Sequence, residues 1–211
     1  MKRYAIYYLP PPGPLAEFGA RWLGWDPQTG ARHPLPPEQE ALTAAPRRYG
    51  LHATLKAPFR LAGTKADLMA AVGDLAARLS PVAPGDLTVR RIGRFLALVP
   101  GGDTGPLNAM AARIVQDLDP FRAPLTEADR ARRNPERLTP AQRTLLDRWG
   151  YPFVMEEFRF HITLTGPCDL EPDALAPRLA PVLPAPFTLS DICLMGEDAE
   201  GFFHLLRRYP I

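Results

Sequence analysis

Two short runs in this 211-residue chain pair an imidazole with a hydroxyl at the same spacing: His52-Ala53-Thr54-Leu55-Lys56-Ala57-Pro58 and His161-Ile162-Thr163-Leu164-Thr165-Gly166-Pro167. His, Thr, Leu and Pro recur in identical register. Side chains two apart on an extended strand share a face, so each run sets a His beside a Thr over an apolar reverse face. Displacement at phosphorus needs a base on the incoming oxygen and an acid on the leaving oxygen, on opposite sides of the phosphorus. Two facing histidines supply both near neutral pH, since the unperturbed imidazole titrates at about 6.5. The Thr54 and Thr163 hydroxyls can donate to the non-bridging oxygens, where charge develops. This chemistry requires no metal.

A lone His-x-Thr on a strand is usually structural; its duplication in register is what points to a cleft between two related halves. Lys56 shares the face of Gly50, His52 and Thr54, and Arg159 shares that of His161, Thr163 and Thr165. Both are therefore candidate ligands for a second phosphate or a carboxylate, the alternatives being a solvated strand end or an ion pair. His33 lies in a proline-rich loop, and His204, between Phe203 and Leu205, reads as structural or rim-lining. A metal site built from His52, His161 and His33 has no acidic or sulfur ligand at ligand spacing, so no metal is expected.

The elements that must position these groups follow from periodicity. Residues 3–9 form an apolar, aromatic strand cut short by Pro10, Pro11 and Pro12, and residues 15–23 have helical spacing. A proline-rich connection, 26–46, with a short helix at its end, leads to the first His run, where Pro58 is expected to stop the strand. An amphipathic helix over 65–79, with Thr64 as N-cap, is followed by one or two strands over 87–99 and a second helix over 107–118. Residues 158–165 alternate again as a strand, 172–179 form a short helix, and the C-terminal segments 187–194 and 202–209 read as a hairpin. The order predicts an α+β fold with two related halves.

Between them, residues 119–150 carry seven Arg and five acidic residues, with a capping box at Thr139-Pro140-Ala141-Gln142 and a stop at Gly150. This reads as an inserted helical arm. It is either a surface hairpin tied by pairs such as Glu136 with Arg133 or Arg137, which is the preferred reading, or a lid or RNA-docking element.

Composition limits the partners. With 25 basic and 23 acidic residues the formal net charge is +2, too balanced for a broad nucleic-acid or membrane footprint. No apolar run approaches the roughly 20 residues that span a bilayer. Cys168 and Cys193 sit in no ligand spacing, which suits a reducing cytoplasm. The 26 prolines fall mostly at the ends of elements, so they punctuate a folded domain.

The paired motifs resemble the 2H phosphoesterase superfamily. The runs Arg48-Tyr49-Gly50-Leu51-His52, Phe121-Arg122-Ala123-Pro124-Leu125, Trp149-Gly150-Tyr151-Pro152-Phe153 and Glu157-Phe158-Arg159-Phe160-His161 are similar to a bacterial branch of it linked to phosphonate metabolism, of unknown function. The resemblance covers nearly the whole chain. It implies a single bilobal domain over 1–211, with two antiparallel sheets facing a central cleft, helices outside, and both termini in one lobe. It also implies His52 and His161 as the acid/base pair, Thr54 and Thr163 as phosphate ligands, and no cofactor. An aromatic closing the cleft is expected from among Tyr4, Tyr7, Tyr49 and Tyr151, with Tyr7 and Tyr49 counted among the substrate-binding residues. The implied substrate is a small phosphorylated molecule or nucleotide holding a cyclic phosphate or a 2′,5′ linkage, such as a phosphoribosyl cyclic phosphate. RNA is the less favoured partner. The competing reading is a nucleotide- or RNA-binding module with the same cleft and no chemistry.

Overall fold

The computed structural model describes all 211 residues. It is α+β, built on two antiparallel sheets. The four-stranded sheet has the order β2-β1-β6-β7, from β1 (Tyr4–Tyr8), β2 (Ala53–Phe59), β6 (Asp191–Glu197) and β7 (Phe203–Pro210). The three-stranded sheet has the order β3-β4-β5, from β3 (Leu87–Ile92), β4 (Phe95–Pro100) and β5 (Ile162–Thr163). The first and last strands thus share one sheet.

β1 is buried on both faces, which explains its unbroken apolar and aromatic run. Tyr4, Ile6 and Tyr8 enter the main core, while Ala5, Tyr7 and Leu9 join Cys193, Met195 and Phe203 on the opposite face. The main core is continuous between the sheets, because Leu55 and Leu194 of one belong to the same cluster as Leu96, Leu98 and Ile162 of the other.

The helices are α1 (Pro14–Leu23), α2 (Pro37–Thr43), α3 (Lys65–Ala76), α4 (Gly105–Asp117), α5 (Glu127–Ala131), α6 (Pro140–Trp149) and α7 (Ala176–Leu179). α3 buries Leu68, Val72, Leu75 and Ala76 and starts at Thr64, whose hydroxyl accepts from the Asp67 amide at 3.1 Å. The 26–46 connection is more tied than its composition implies. Its helix α2 accepts a 2.7 Å bond at the Leu42 carbonyl from the Gly166 amide, just past the second His motif.

Three expectations are corrected. Pro58 lies inside β2 and does not end it; β2 is an edge strand, where one missing N–H can face away from the ladder. The second alternating run, expected as a strand over 158–165, is a strand only at Ile162 and Thr163; past it the Leu164 amide still donates to the Leu96 carbonyl at 2.9 Å, but the Leu96 amide is taken by the Thr165 hydroxyl in place of a backbone carbonyl, which ends the ladder. In the arm, Glu136 takes no ion pair; Arg122, Arg130 and Arg132 pair instead with Asp119, Asp147 and Asp129, and Arg133 and Arg137 pair with no carboxylate. The root of the arm is clipped to the chain leaving β2: the Ala62 amide donates to the Phe121 carbonyl at 2.8 Å, and the Ala123 amide to the Arg60 carbonyl at 2.8 Å.

Candidate active site

Each histidine stands one residue before an edge strand, His52 before β2 and His161 before β5, and the two strands belong to different sheets. Both imidazoles are anchored the same way. His52 Nδ1 lies 2.9 Å from the Gly50 carbonyl and His161 Nδ1 lies 2.8 Å from the Arg159 carbonyl, in each case two residues back. A carbonyl can only accept, so Nδ1 carries the proton in both rings and the neutral Nε2 is left as an acceptor. The Thr54 hydroxyl lies 3.2 Å from His52 Nε2 and donates to it.

Gly50 earns its place here twice. It has φ +71°, a conformation unfavourable to other residues, and a Cβ added to it would lie 2.4 Å from Pro27 Cγ. The second copy needs no glycine at the matching position, which holds Arg159.

A cavity of about 320 Å³ lies between the two motifs, with His52, Thr54, Thr163, Thr165, Tyr7 and Tyr49 in its walls. His161 is not among its lining residues; it packs on Phe95, which is, with ring centroids 5.7 Å apart. Tyr7 supports His52 from below at a centroid distance of 4.2 Å, and Tyr49 covers it at 5.5 Å while also stacking on Phe203. Thr165 is structural as well as lining: its hydroxyl accepts from the Leu96 amide at 3.0 Å and so fixes the motif to β4.

Of the candidate tyrosines, Tyr7, Tyr49 and Tyr151 meet at the cleft, while Tyr4 turns into the core. Lys56 leaves the His/Thr row. Its strand pairs Tyr7 with Thr54 but Ile6 with Lys56, so an extra residue breaks the two-residue alternation there. The Lys56 ammonium, 3% exposed, donates to the Val115 carbonyl at 3.0 Å and pairs with Asp119 at 3.5 Å. Burial pushes its pKa down to about 8 against the pull of Asp119. Arg159 is exposed and lines neither this cavity nor the neighbouring one; the site receives its carbonyl. His33 lies at a turn beside Gly24, outside the cleft, and His204 pairs with Asp198 at 2.8 Å. The arm is no mere surface hairpin, because Arg122, Arg132, Arg133 and Trp149 wall a second cavity beside the cleft. The sequence placed Arg133 in an ion pair with Glu136, and no motif around it pointed to a cavity.

Burial pushes the His52 pKa down to about 4, with the nearby His161 adding to the depression and the Gly50 carbonyl opposing it. His52 is therefore neutral at pH 7. Because the folded value lies below the ordinary 6.5, the unfolded chain binds this proton first, and stability falls as pH drops from about 6.5 to about 4. Wild-type protein is expected to lose on the order of 2–3 kcal/mol more than His52→Gln over that window. Urea midpoints measured across the pH range check this; parallel slopes for the two proteins would refute it.

Residues 54–204 match the family model described as protein of unknown function, DUF1045. The chain belongs to the DUF1045 family. Two curated relatives of this DUF1045 chain both carry the name ribose 1,5-bisphosphate phosphokinase PhnN. The one from Janthinobacterium sp. (strain Marseille) is 39% identical over 182 residues, 78% of this chain and 39% of that protein. The one from Laribacter hongkongensis (strain HLHK9) is 35% identical over 176 residues, 79% of this chain and 40% of that protein. The DUF1045 chain thus spans about two fifths of the length of these relatives. None of its three lysines, Lys2, Lys56 and Lys65, completes the G-x-x-x-x-G-K run that cradles nucleotide phosphates. Among solved structures, E. coli LigT complexed with ATP aligns over 100% of the DUF1045 chain and 97% of its own, at 16% identity and a TM-score of 0.49.

Proposed function

We propose that this protein is a metal-independent phosphodiesterase that opens a cyclic phosphate, with 5-phosphoribosyl 1,2-cyclic phosphate as its substrate. The observation that supports it most is the duplicated anchor: two imidazoles from two sheets, each with Nδ1 held by the carbonyl two residues back and Nε2 free for proton exchange. His52, neutral at pH 7, acts as the base and His161 as the acid. Nε2 of His52 takes a proton from water as the water oxygen bonds to phosphorus. The ring P–O bond on the far side breaks, and its oxygen takes the proton of His161 Nε2. Thr54 and Thr163 donate to the non-bridging oxygens, where Thr54 exchanges its bond to His52 for one to the phosphoryl group.

The substrate assignment draws on the names of the relatives. Opening a 5-phosphoribosyl 1,2-cyclic phosphate with the 2-oxygen as leaving group yields ribose 1,5-bisphosphate, the compound in the name both relatives carry. Incubating the purified protein with this cyclic phosphate, with nucleoside 2′,3′-cyclic phosphates and with a 2′,5′-linked dinucleotide, all in EDTA, tests the reading by phosphorus NMR. Ring opening of the sugar substrate with chelator present is the expected result. Binding without turnover would make the protein a nucleotide-binding module, and turnover only with added metal would also overturn the proposal.

A further inference from the structure

The cleft continues past Tyr49. Arg3, Tyr49, Ala57, Pro58, Arg133 and Tyr151 are shared between its wall and that of a second cavity of about 510 Å³ beside the arm. Seven cationic side chains line this second cavity against one carboxylate, Asp129, in a chain whose formal net charge is only +2. Clustered like charges in a concave site focus the potential on a small anion.

Most of these cations are already matched. Arg3 forks onto Glu197 at 2.6 Å, Lys56 and Arg122 share Asp119, and Arg60 and Arg132 share Asp129. Arg48 and Arg133 have no carboxylate partner; Arg133 lies over the Tyr151 ring, 4.8 Å from its centroid, at the junction of the two cavities. A second, independent observation is Tyr7, in the wall of the cavity that holds His52. Its side chain is fully buried in the cleft wall, in the electrostatic neighbourhood of Arg3, Tyr49 and Tyr151, and its hydroxyl has no hydrogen-bond partner. A buried hydroxyl left unpaired is costly, so the Tyr7 hydroxyl is a donor available to whatever polar group enters the cavity it lines.

We propose that this second cavity is the subsite for a terminal phosphate ester of the substrate, held by Arg48 and Arg133, with the Tyr7 hydroxyl donating to the substrate from the wall of the cavity that holds His52. The inference rests on the phosphodiesterase reading and adds its specificity: the reacting phosphorus sits between His52 and His161, and a second phosphate on the same small molecule docks beside the arm. Guanidinium–phosphate pairing is charge-assisted and bidentate, so each lost Arg should weaken binding at least about tenfold. A nucleoside 2′,3′-cyclic phosphate offers nothing to this subsite.

The test compares ribose 1,2-cyclic phosphate with and without a 5-phosphate. Wild-type protein is expected to prefer the 5-phosphorylated form by about 100-fold or more in kcat/KM, and the R48Q/R133Q variant, verified as folded by its thermal midpoint, is expected to lose that preference through KM. Equal kcat/KM for both compounds in wild type, or an unchanged preference in the variant, would overturn the subsite. Calorimetric titration with ribose 5-phosphate separates this from the catalytic reading. Should wild type open neither compound, the phosphodiesterase proposal fails by itself, while binding of ribose 5-phosphate that weakens at least about tenfold in R48Q/R133Q still supports the subsite, and absence of binding in wild type overturns it.

Discussion

His52→Ala and His161→Ala are each expected to lower kcat/KM for ring opening by about 10²–10⁴-fold, the usual worth of a positioned proton donor or acceptor. Their pH profiles should differ. With His52 as base, wild-type kcat/KM falls as pH drops through the free-protein value of about 4, and His52→Ala loses that limb. His161→Ala, which leaves the base in place, should keep it. The double variant should be little worse than either single one, because the two groups serve one step and their effects do not add. Single-turnover rates across pH check all three statements. Either variant keeping more than about a tenth of wild-type kcat/KM would end the claim that the pair performs the chemistry.

Gly50→Ala should produce the second largest effect, on a residue with no reactive group. The backbone at Gly50 has φ +71°, and an added Cβ would press to 2.4 Å from Pro27 Cγ, so the turn must shift. The strain of holding a non-glycine residue there is about 1–3 kcal/mol before the clash is counted. The same shift moves the carbonyl that holds Nδ1 of His52. A loss of about 100-fold in kcat is expected, since small misplacements of a catalytic group have that cost. The thermal midpoint should fall together with kcat. A variant that folds at the wild-type midpoint and turns over normally would show that the Gly50 carbonyl does not position the imidazole.

Much of the candidate site was legible because the proposed chemistry would constrain residue type. A His and a Thr two apart, repeated with Leu and Pro in register, point to two strands presenting the same groups, and His52, Thr54 and Thr163 do line one cavity, while His161 stands on Phe95 in its wall. The strand β1 was equally legible, since only a doubly buried strand carries five such residues without a polar break. What escaped the sequence depends on geometry that periodicity does not carry. One extra residue between Thr54 and Lys56 in the pairing with β1 takes Lys56 away from its expected neighbours and buries it against α4. The second run alternates over eight residues but ladders over two. In the arm, composition located the insertion, yet nothing in it distinguished Arg133, which reaches the junction of the cavities, from Arg130, which pairs with Asp147. Tyr7 and Tyr4 look alike in the first strand; only the three-residue offset puts one against His52 and the other in the core.

The clip between residues 60–62 and 121–123 has a bearing on how the protein behaves in a crowded solution. β2 lies at the open side of its sheet, and a row of unpaired amides and carbonyls there is a template on which a second molecule can add a strand. Pro58 removes one donor from β2, and beyond Phe59 the root of the arm claims the Ala62 amide and the Arg60 carbonyl. The root of the arm thus satisfies the backbone just beyond this edge strand, so a shortened arm would leave the Ala62 amide and the Arg60 carbonyl unpaired as well as remove arginines from the cavity wall.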